Sequence, residues 1–161
     1  MQSFKIIKPI HILTPYVRYY WILEDGADVS VSERTLPTGC IQLVFHRGKR
    51  LLLVGKKESQ PQAFICGQCL NFSDVMSAGK IEMITVVFQP YAARAILQLP
   101  LKFFYGELIA VDAIEDLELS ILSRKVIEAD DHETCIRLIE QFLIHRLYRL
   151  SLIHISEPTR L

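Results

Sequence analysis

The chain has 161 residues, of which 50% are hydrophobic and 22% charged, with 18 basic and 18 acidic side chains. This length suits one domain with its own core, and the composition excludes a disordered protein. A formal net charge of zero argues against nucleic-acid binding through bulk electrostatics. No stretch has the pattern of a membrane span or a signal peptide, so we expect a cytoplasmic protein.

A short helix is predicted ahead of the first strand. Thr14 is a residue type that caps helices, and Pro15 suits the first helical position because no N–H group is needed there. This helix is expected to direct the side chains of Val17, Tyr20 and Trp21 toward the core.

Short strands separated by turns are predicted through the rest of the first 90 residues. Runs of β-branched, aromatic and aliphatic residues place these strands at residues 20–24, 41–46, 50–54, 63–66 and 81–89. Residues 46–50 suit a hairpin in which Gly48 supplies a positive φ angle.

After Pro90 the hydrophobic pattern acquires the period of a helix. A helix that begins at Pro90 and runs to Leu99 would bury Ala93, Ile96 and Leu97. Strands followed by helices predict an α+β fold, a β-barrel or sandwich of short antiparallel strands followed by a helical pair.

Two capping-box patterns predict the two helices of this pair. Asp112 with Glu115 opens a helix over residues 113–129, and Asp130 with Glu133 opens a helix over residues 130–150. The second helix has the clearest apolar stripe in the chain. Its members are Cys135, Leu138, Ile139, Phe142, Leu143, Leu147 and Leu150.

Cys66 and Cys69 form a CxxC pair. Such a pair serves as a redox couple at a helix N-terminus or as half of a zinc site. The sequence has no second CxxC pair, and the residues after Cys69 do not have the pattern of a helix. We therefore interpret both cysteines as half-buried apolar residues around a glycine turn at a strand end.

Other chemical motifs are missing from the sequence. No two of the five histidines lie closer than nine residues apart, which excludes the closely spaced pair of many metal-binding β-barrels. The serine-hydrolase, phosphate-loop and dinucleotide motifs do not occur. We expect no catalytic residues, no metal ligands and no cofactor, and therefore no enzyme.

A basic cluster surrounds the predicted hairpin and consists of Arg47, Lys49, Arg50, Lys56 and Lys57. Such a cluster either contacts phosphates or an acidic partner, or keeps a hairpin edge from aggregating. Because no aromatic residues alternate with these charges, we favour the second interpretation.

Four segments together resemble the N-terminal domain of AraC-type bacterial transcription regulators. They are residues 9–21 (PIHILTPYVRYYW), 33–45 (ERTLPTGCIQLVF), 84–97 (ITVVFQPYAARAIL) and 104–112 (FYGELIAVD). With the helices after them, the resemblance covers nearly all of residues 9–150. One departure is the sequence Tyr91-Ala92-Ala93, where the family usually has a glycine before the alanine.

The resemblance implies a cupin-like β-barrel that senses a small-molecule effector. On its predicted strands, Trp21, Arg34 and Gln42 would supply an aromatic wall, a charge and an amide to the ligand. The alternatives are a small cupin-like enzyme and a stand-alone small-molecule-binding module.

The resemblance also implies a homodimer and a role in transcription. The dimer contacts would lie on the last helix, at Leu138, Phe142, Leu143 and Leu147. DNA binding would require a C-terminal helix-turn-helix domain, which is expected to follow residue 150 in such regulators.

Residues 151–161 (SLIHISEPTRL) depart from this pattern. The apolar stripe ends at Leu150, and Pro158 prevents a simple extension of the helix. The string also resembles translated sequencing-adapter read-through. We therefore interpret residues 1–150 as the domain and residues 151–161 as a non-native tail.

Overall fold

The computed structural model describes residues 2–26, 31–35, 39–55, 57–67, 73–77, 79–100 and 108–156. Of the sequence predictions, those that concern Lys56, Cys69 and residues 157–161 lie outside these ranges. Within the ranges, none of the helices is both long and apolar enough to span a membrane.

Ten strands lie within the described ranges, and in chain order they are β1 (Gln2–Ile7), β2 (Val17–Asp25), β3 (Val31–Thr35), β4 (Gln42–His46), β5 (Leu52–Leu53), β6 (Glu58–Ser59), β7 (Ala63–Cys66), β8 (Ser73–Ser77), β9 (Ile81–Phe88) and β10 (Leu108–Ala110). A six-stranded sheet has the order β1-β2-β9-β4-β7-β10, and a four-stranded sheet has the order β3-β8-β5-β6. Across the described residues the two sheets stay separate and do not close into a barrel. The α+β prediction is confirmed.

Eight of the strands pair in a nested order. β2 pairs with β9, β3 with β8, β4 with β7, and β5 with β6, all antiparallel. The further pairs β4–β9 and β5–β8 join these four pairs into the two sheets. Strands that are distant in sequence are therefore neighbours in space, and the pairing order alternates between the sheets.

Helices cover one face of the six-stranded sheet. They are α1 (Ala92–Leu97), α2 (Leu117–Glu128) and α3 (His132–Ser156). The main core lies between them and this face, and it contains Tyr20, Phe45 and Ile84 from the strands with Ile139 and Leu143 from α3. Each of these five side chains is fully buried.

The helices predicted after Pro90 are present, but both longer ones begin later than expected. Asp112 lies in a one-turn 3-10 helix, and it is Asp116 whose carboxylate accepts a hydrogen bond from the Leu119 N–H at 3.1 Å. At α3 the corresponding bond runs from the Thr134 N–H to Asp131 Oδ1, at 2.7 Å. Because several neighbouring acidic residues can each cap a helix, the sequence does not distinguish between them as the first residue of the helix. The packing of the helix against the sheet selects one.

The short helix predicted from Pro15 is wrong. A one-turn 3-10 helix spans His11–Leu13, and strand β2 already begins at Val17. Because a strand alternates its faces, Tyr20 points into the main core while Trp21 points to the opposite side of the sheet. A helix would have placed these neighbours closer to one side.

The hairpin predicted at residues 46–50 is also wrong. β4 and β5 belong to different sheets, and Gly48 is not among the described residues with a positive φ angle, which are Lys57, Gly79 and Gln98. Gly48 is needed for space, because a Cβ atom there would lie 2.7 Å from the Lys80 carbonyl oxygen and 2.8 Å from the Glu82 nitrogen. The segment after β4 therefore runs close against the backbone that enters β9.

Arg47 does not belong to a solvated basic cluster, since its side chain is only 8% exposed. Its guanidinium donates to Glu82 Oε1 at 2.5 Å and to the carbonyl oxygens of Val126 and Ala129 at the C-terminal end of α2. Lys49 and Arg50 are exposed, as expected for solvated charges. Arg47 thus fastens α2 to the sheet, a role that the charge pattern did not indicate.

The last helix continues past the predicted end of the domain. α3 runs through Leu150 to Ser156, two residues before Pro158. A proline disfavours helical geometry at the residue before it, so this end fits the sequence. The interpretation of residues 151–161 as a non-native tail stays a prediction.

Candidate functional site

The second face of the six-stranded sheet points toward the four-stranded sheet. Val44, Phe64 and Met83 on this face pack against Val75 of β8 in a separate, smaller core. Trp21 and Thr85 lie on the same face as Val44, because Thr85 is the cross-strand partner of both Trp21 and Val44. We call this surface the inward face.

Two of the three predicted ligand residues lie on the inward face. Trp21 and Gln42 are both half-buried, and they occupy adjacent cross-strand rows through their partners Thr85 and Val87 on β9. The indole of Trp21 also lies beside Phe4, with the ring centroids 5.8 Å apart. The structure therefore brings the predicted aromatic wall and amide together.

Arg34, the third predicted ligand residue, is on the other sheet. Its backbone lies in β3, paired with Asp74 of β8. Its side chain lies outside the described part of the chain. The predicted charge therefore belongs to the sheet that faces Trp21 and Gln42, not to the same sheet.

The inward face also carries two buried polar residues that sequence reasoning missed. Thr85 and His46 are both 0% exposed. Neither Thr85 Oγ1 nor His46 Nδ1 has a hydrogen-bond partner among the described residues. The signal in the sequence was a second polar residue in each of two mostly apolar strands, besides Gln42 in β4 and Glu82 in β9. Period-two alternation places His46 and Thr85 on the side of the sheet that faces the second sheet.

The hydrogen bonding of His46 defines what its free nitrogen can accept. Its Nε2 lies 2.8 Å from Gln60 Oε1, an amide oxygen that only accepts, so Nε2 carries the proton. Burial lowers the pKa of His46, although the bond to Gln60 opposes this shift. The imidazole is therefore neutral at pH 7, and Nδ1 presents a lone pair to the interior.

Thr85 Oγ1 and His46 Nδ1 on the inward face are each without a hydrogen-bond partner among the described residues. A buried polar group without a partner costs roughly 1–3 kcal/mol, and this energy is recovered when a partner arrives. The hydroxyl of Thr85 donates or accepts, whereas Nδ1 of His46 accepts. The face therefore suits a small molecule with an apolar body against Trp21 and a polar group that pairs with these atoms.

A small cavity lies at one end of the space between the sheets. Its volume is about 30 Å³. Its lining residues are Gln2, Leu23, Asp25, Leu51, Val75, Ser77 and Ile81. This is room for a water-sized molecule.

The predicted dimer residues on α3 pack mainly within the chain. Leu143 is 0% exposed and lies in the main core. Leu138, Phe142 and Leu147 are partly buried against the same core. Their stripe therefore docks α3 on the sheet, and it leaves the opposite face of α3 to any partner.

A groove of about 730 Å³ runs between the edge strand β1 and the outer face of α3. Its apolar rim includes Ile6 and Ile10, which are 58% and 44% exposed. Glu140 lies in the groove, where it accepts hydrogen bonds at 3.0 Å from the Tyr20 hydroxyl and the Ile10 N–H. This groove is far larger than the cavity between the sheets.

The fold and the inward face define a two-sheet α+β domain that carries buried polar groups between its sheets. The chain belongs to the family described as Domain of unknown function (DUF6597), which matches residues 5–110. The matched region runs from within β1 to the end of β10, so it contains the inward face and excludes α2 and α3. No curated protein matches the sequence of the chain.

Proposed function

We propose that this chain is the ligand-sensing domain of an AraC-type transcription regulator, with its ligand site on the inward face. The observation that carries the proposal is a pair of polar atoms at fully buried positions, Thr85 Oγ1 and His46 Nδ1, which have no hydrogen-bond partner in the described part of the chain. Trp21 and Gln42, selected from the sequence alone, lie on the same face. A sensor requires a ligand that binds one conformation more tightly than another. Buried polar groups that gain hydrogen bonds from the ligand in one conformation supply this difference in affinity.

The strand order supports a cupin-like fold for this sensor. Nested pairing of eight strands, divided alternately between two sheets, is the order of a jelly roll, the architecture of cupins. Jelly rolls enclose small molecules between their sheets, where the inward face lies in this protein. The additional strands β1 and β10 extend the edges of the six-stranded sheet without changing that order.

The fluorescence of Trp21 provides a direct test, because it is the only tryptophan in the chain. Benzamide and nicotinamide are suitable probes, since each has a planar ring and an amide that both donates and accepts hydrogen bonds. Because the cavity described between the sheets has room for a water-sized molecule, either probe enters only if the four-stranded sheet moves away from the inward face. We expect a saturable change of emission with at least one of them. Thr85→Val should weaken binding about tenfold, the equivalent of one lost hydrogen bond.

Ser123→Ala is the matched control for Thr85→Val. The Ser123 hydroxyl is also buried, but it lies in α2 and donates to the Leu119 carbonyl oxygen at 2.9 Å. Its removal should leave the affinity for the probe unchanged. Failure of both probes to saturate, or equal affinities for wild type and Thr85→Val, would contradict the proposed site.

The same proposal includes a homodimer that forms through the groove between β1 and α3. The groove is lined by Lys5 and Arg137 together with Glu133 and Glu140, so its charges are suited to a second copy. A two-fold axis brings the same surface of two copies together, which favours such mixed, self-complementary charge. DNA binding would then require a C-terminal helix-turn-helix domain, in a cytoplasmic setting.

Sedimentation equilibrium tests the dimer. Ile6→Glu with Ile10→Glu should give a monomer with unchanged circular dichroism, whereas Tyr91→Glu, at a position 71% exposed elsewhere on the surface, should leave the dimer intact. A wild-type monomer that still binds the probes would exclude the regulator and favour the stand-alone binding module.

A further inference from the structure

Three potential metal ligands converge where α3 meets the six-stranded sheet. Glu24 of β2 and Glu82 of β9 are cross-strand partners. His132, the first residue of α3, brings Nε2 to 3.1 Å from Glu24 Oε1 and to 2.9 Å from Glu82 Oε1. The donor atoms of the three residues all lie within 4.8 Å of one another. We call these residues the junction triad.

The two carboxylates of the junction triad carry two negative charges when both are ionised, and Arg47, the cation fixed beside them, balances one. Like charges directly opposite on paired strands destabilise a sheet. Arg47 neutralises Glu82, but its other nitrogens donate to carbonyl oxygens in and beyond α2 and to Cys135 Sγ. Its hydrogen-bond partners among the described residues do not include Glu24. The remaining negative charge is open to a cation that reaches both carboxylates.

Glu82 is prepared to act as an anion. The guanidinium of Arg47, a fixed cation, donates a hydrogen bond from Nε to Glu82 Oε1 at 2.5 Å. The hydrogen bond from Arg47 also fixes the orientation of the carboxylate, as outer hydrogen bonds do for metal-ligating carboxylates. One ligand of the triad is thus both charged and oriented.

We propose that Glu24, Glu82 and His132 bind a divalent transition-metal ion that fastens α3 to the sheet. Imidazole nitrogen and carboxylate oxygen are ordinary ligands of Zn²⁺ and related ions. Two ligands that bind one ion at about 2.1 Å lie roughly 3 Å apart in octahedral geometry and roughly 3.4 Å apart in the tetrahedral geometry that Zn²⁺ prefers. The distances of 3.1 and 2.9 Å from His132 Nε2 to the two carboxylates are close to the first value and within about 0.5 Å of the second. Three protein ligands leave at least one coordination position for water or a further ligand.

A simple ion pair is the competing explanation for the same geometry. A protonated His132 would balance the second carboxylate without any metal, through hydrogen bonds of the same length. The two explanations differ in one respect that can be measured. A metal site makes the stability of the protein depend on the ion, whereas an ion pair does not. This inference is independent of the proposed sensor function.

The experiment uses the full chain, treated with EDTA and then dialysed. Zn²⁺ is the probe, and binding is followed by calorimetry and thermal unfolding. At a hundredfold excess of Zn²⁺ over Kd, we expect Tm to rise by at least about 5 °C. Mg²⁺ should have little effect, because it prefers all-oxygen sites and retains its water.

Glu24→Gln and His132→Gln identify the ligands. Each should weaken Zn²⁺ binding at least about tenfold. Glu24→Gln also removes one of two opposed charges, so the metal-free protein should be as stable as wild type, which separates loss of metal from loss of fold. His145→Gln is the matched control, because His145 is an exposed residue of the same helix. It should leave binding unchanged.

Cysteines also bind Zn²⁺, and the chain has a CxxC pair. Cys66→Ser tests whether the CxxC pair is the site instead. If the junction triad binds the ion, Cys66→Ser should retain Zn²⁺ binding and the rise in Tm, and Co²⁺ should bind without the strong charge-transfer absorption of a thiolate complex. Absence of Zn²⁺ binding, binding that survives Glu24→Gln and His132→Gln, or binding that Cys66→Ser abolishes would each overturn the proposal.

Discussion

The two faces of the six-stranded sheet differ in how completely their polar groups are satisfied. On the helix-covered face the buried cations have several partners each. Arg146, for example, is 6% exposed, binds both oxygens of Asp116 at 2.6 and 2.7 Å, and donates to the Ile96 carbonyl oxygen at 3.2 Å. On the inward face, Thr85 and His46 are buried, and each has one polar atom without a hydrogen-bond partner among the residues that the structure describes.

This difference separates stability from binding within one sheet. The helix-covered face has a continuous apolar cluster to which β2, β4, β7, β9 and the helices α1, α2 and α3 contribute buried side chains, so it dominates the free energy of folding. The inward face has a smaller cluster and retains unpaired polar groups, which a protein tolerates where a ligand completes them. Substitutions on the helix-covered face should therefore lower the free energy of unfolding, whereas Thr85→Val on the inward face should raise it and weaken ligand binding.

Arg47→Met should have the largest effect on stability. It removes the buried guanidinium, leaves Glu82 and Glu24 opposed without a fixed cation, and removes one donor from each of the carbonyl oxygens of Val126 and Ala129. We expect a loss of about 3 kcal/mol in the free energy of unfolding, measured by urea denaturation. Arg50→Met, three residues away and exposed, should change it by less than about 0.5 kcal/mol. Equal effects would show that Arg47 does not fasten α2.

Leu143→Ala tests the packing of α3 on the same face. Leu143 is fully buried, and truncation of such a leucine costs roughly 2–5 kcal/mol through lost contacts and a cavity. Tyr148→Ala, on the same helix but 62% exposed, should cost less than about 1 kcal/mol. If the dimer depended on Leu143 instead, the substitution would lower association and leave the monomer stable.

His46 should make the stability of the protein sensitive to acid. Burial lowers the pKa of His46 in the folded state, so below the unfolded value of about 6.5 the unfolded chain takes up a proton that the folded chain does not. The free energy of unfolding should therefore fall by up to about 1.4 kcal/mol per pH unit as the pH decreases below 6.5. His46→Gln should reduce this slope, and His145→Gln should not. The same slope in all three proteins would be evidence against a neutral, buried His46.

Thr85→Val and Ser123→Ala should give small effects of opposite sign. Removal of the unpaired Thr85 hydroxyl should raise the free energy of unfolding by about 1 kcal/mol in the absence of ligand. Removal of the paired Ser123 hydroxyl should lower it by about 0.5 kcal/mol, because the better helix propensity of alanine offsets part of the lost bond. Destabilisation by Thr85→Val would indicate that the hydroxyl already has a partner.

The sequence determined the elements whose hydrophobic pattern is local. Strands β4, β7 and β9, helix α1 and the existence of α2 and α3 follow from runs and periods of apolar side chains. The same patterns placed Trp21 and Gln42 on strands, which the structure brings to one face of one sheet. Strands β1, β6, β8 and β10 were not predicted, because these short or mixed segments become strands only through pairing with distant partners.

Tertiary structure alone decided which residues meet. Glu24, Glu82 and His132 are far apart in the chain, and their separations carry no motif that local patterns could reveal. Gly48 illustrates the same limit, since its glycine is required by the Lys80 carbonyl oxygen and not by its own φ angle. Period and propensity act over a few residues, whereas register and sheet order bring together groups that are remote in sequence. The junction triad, the role of Arg47 and the unpaired atoms of the inward face all follow from that second kind of information.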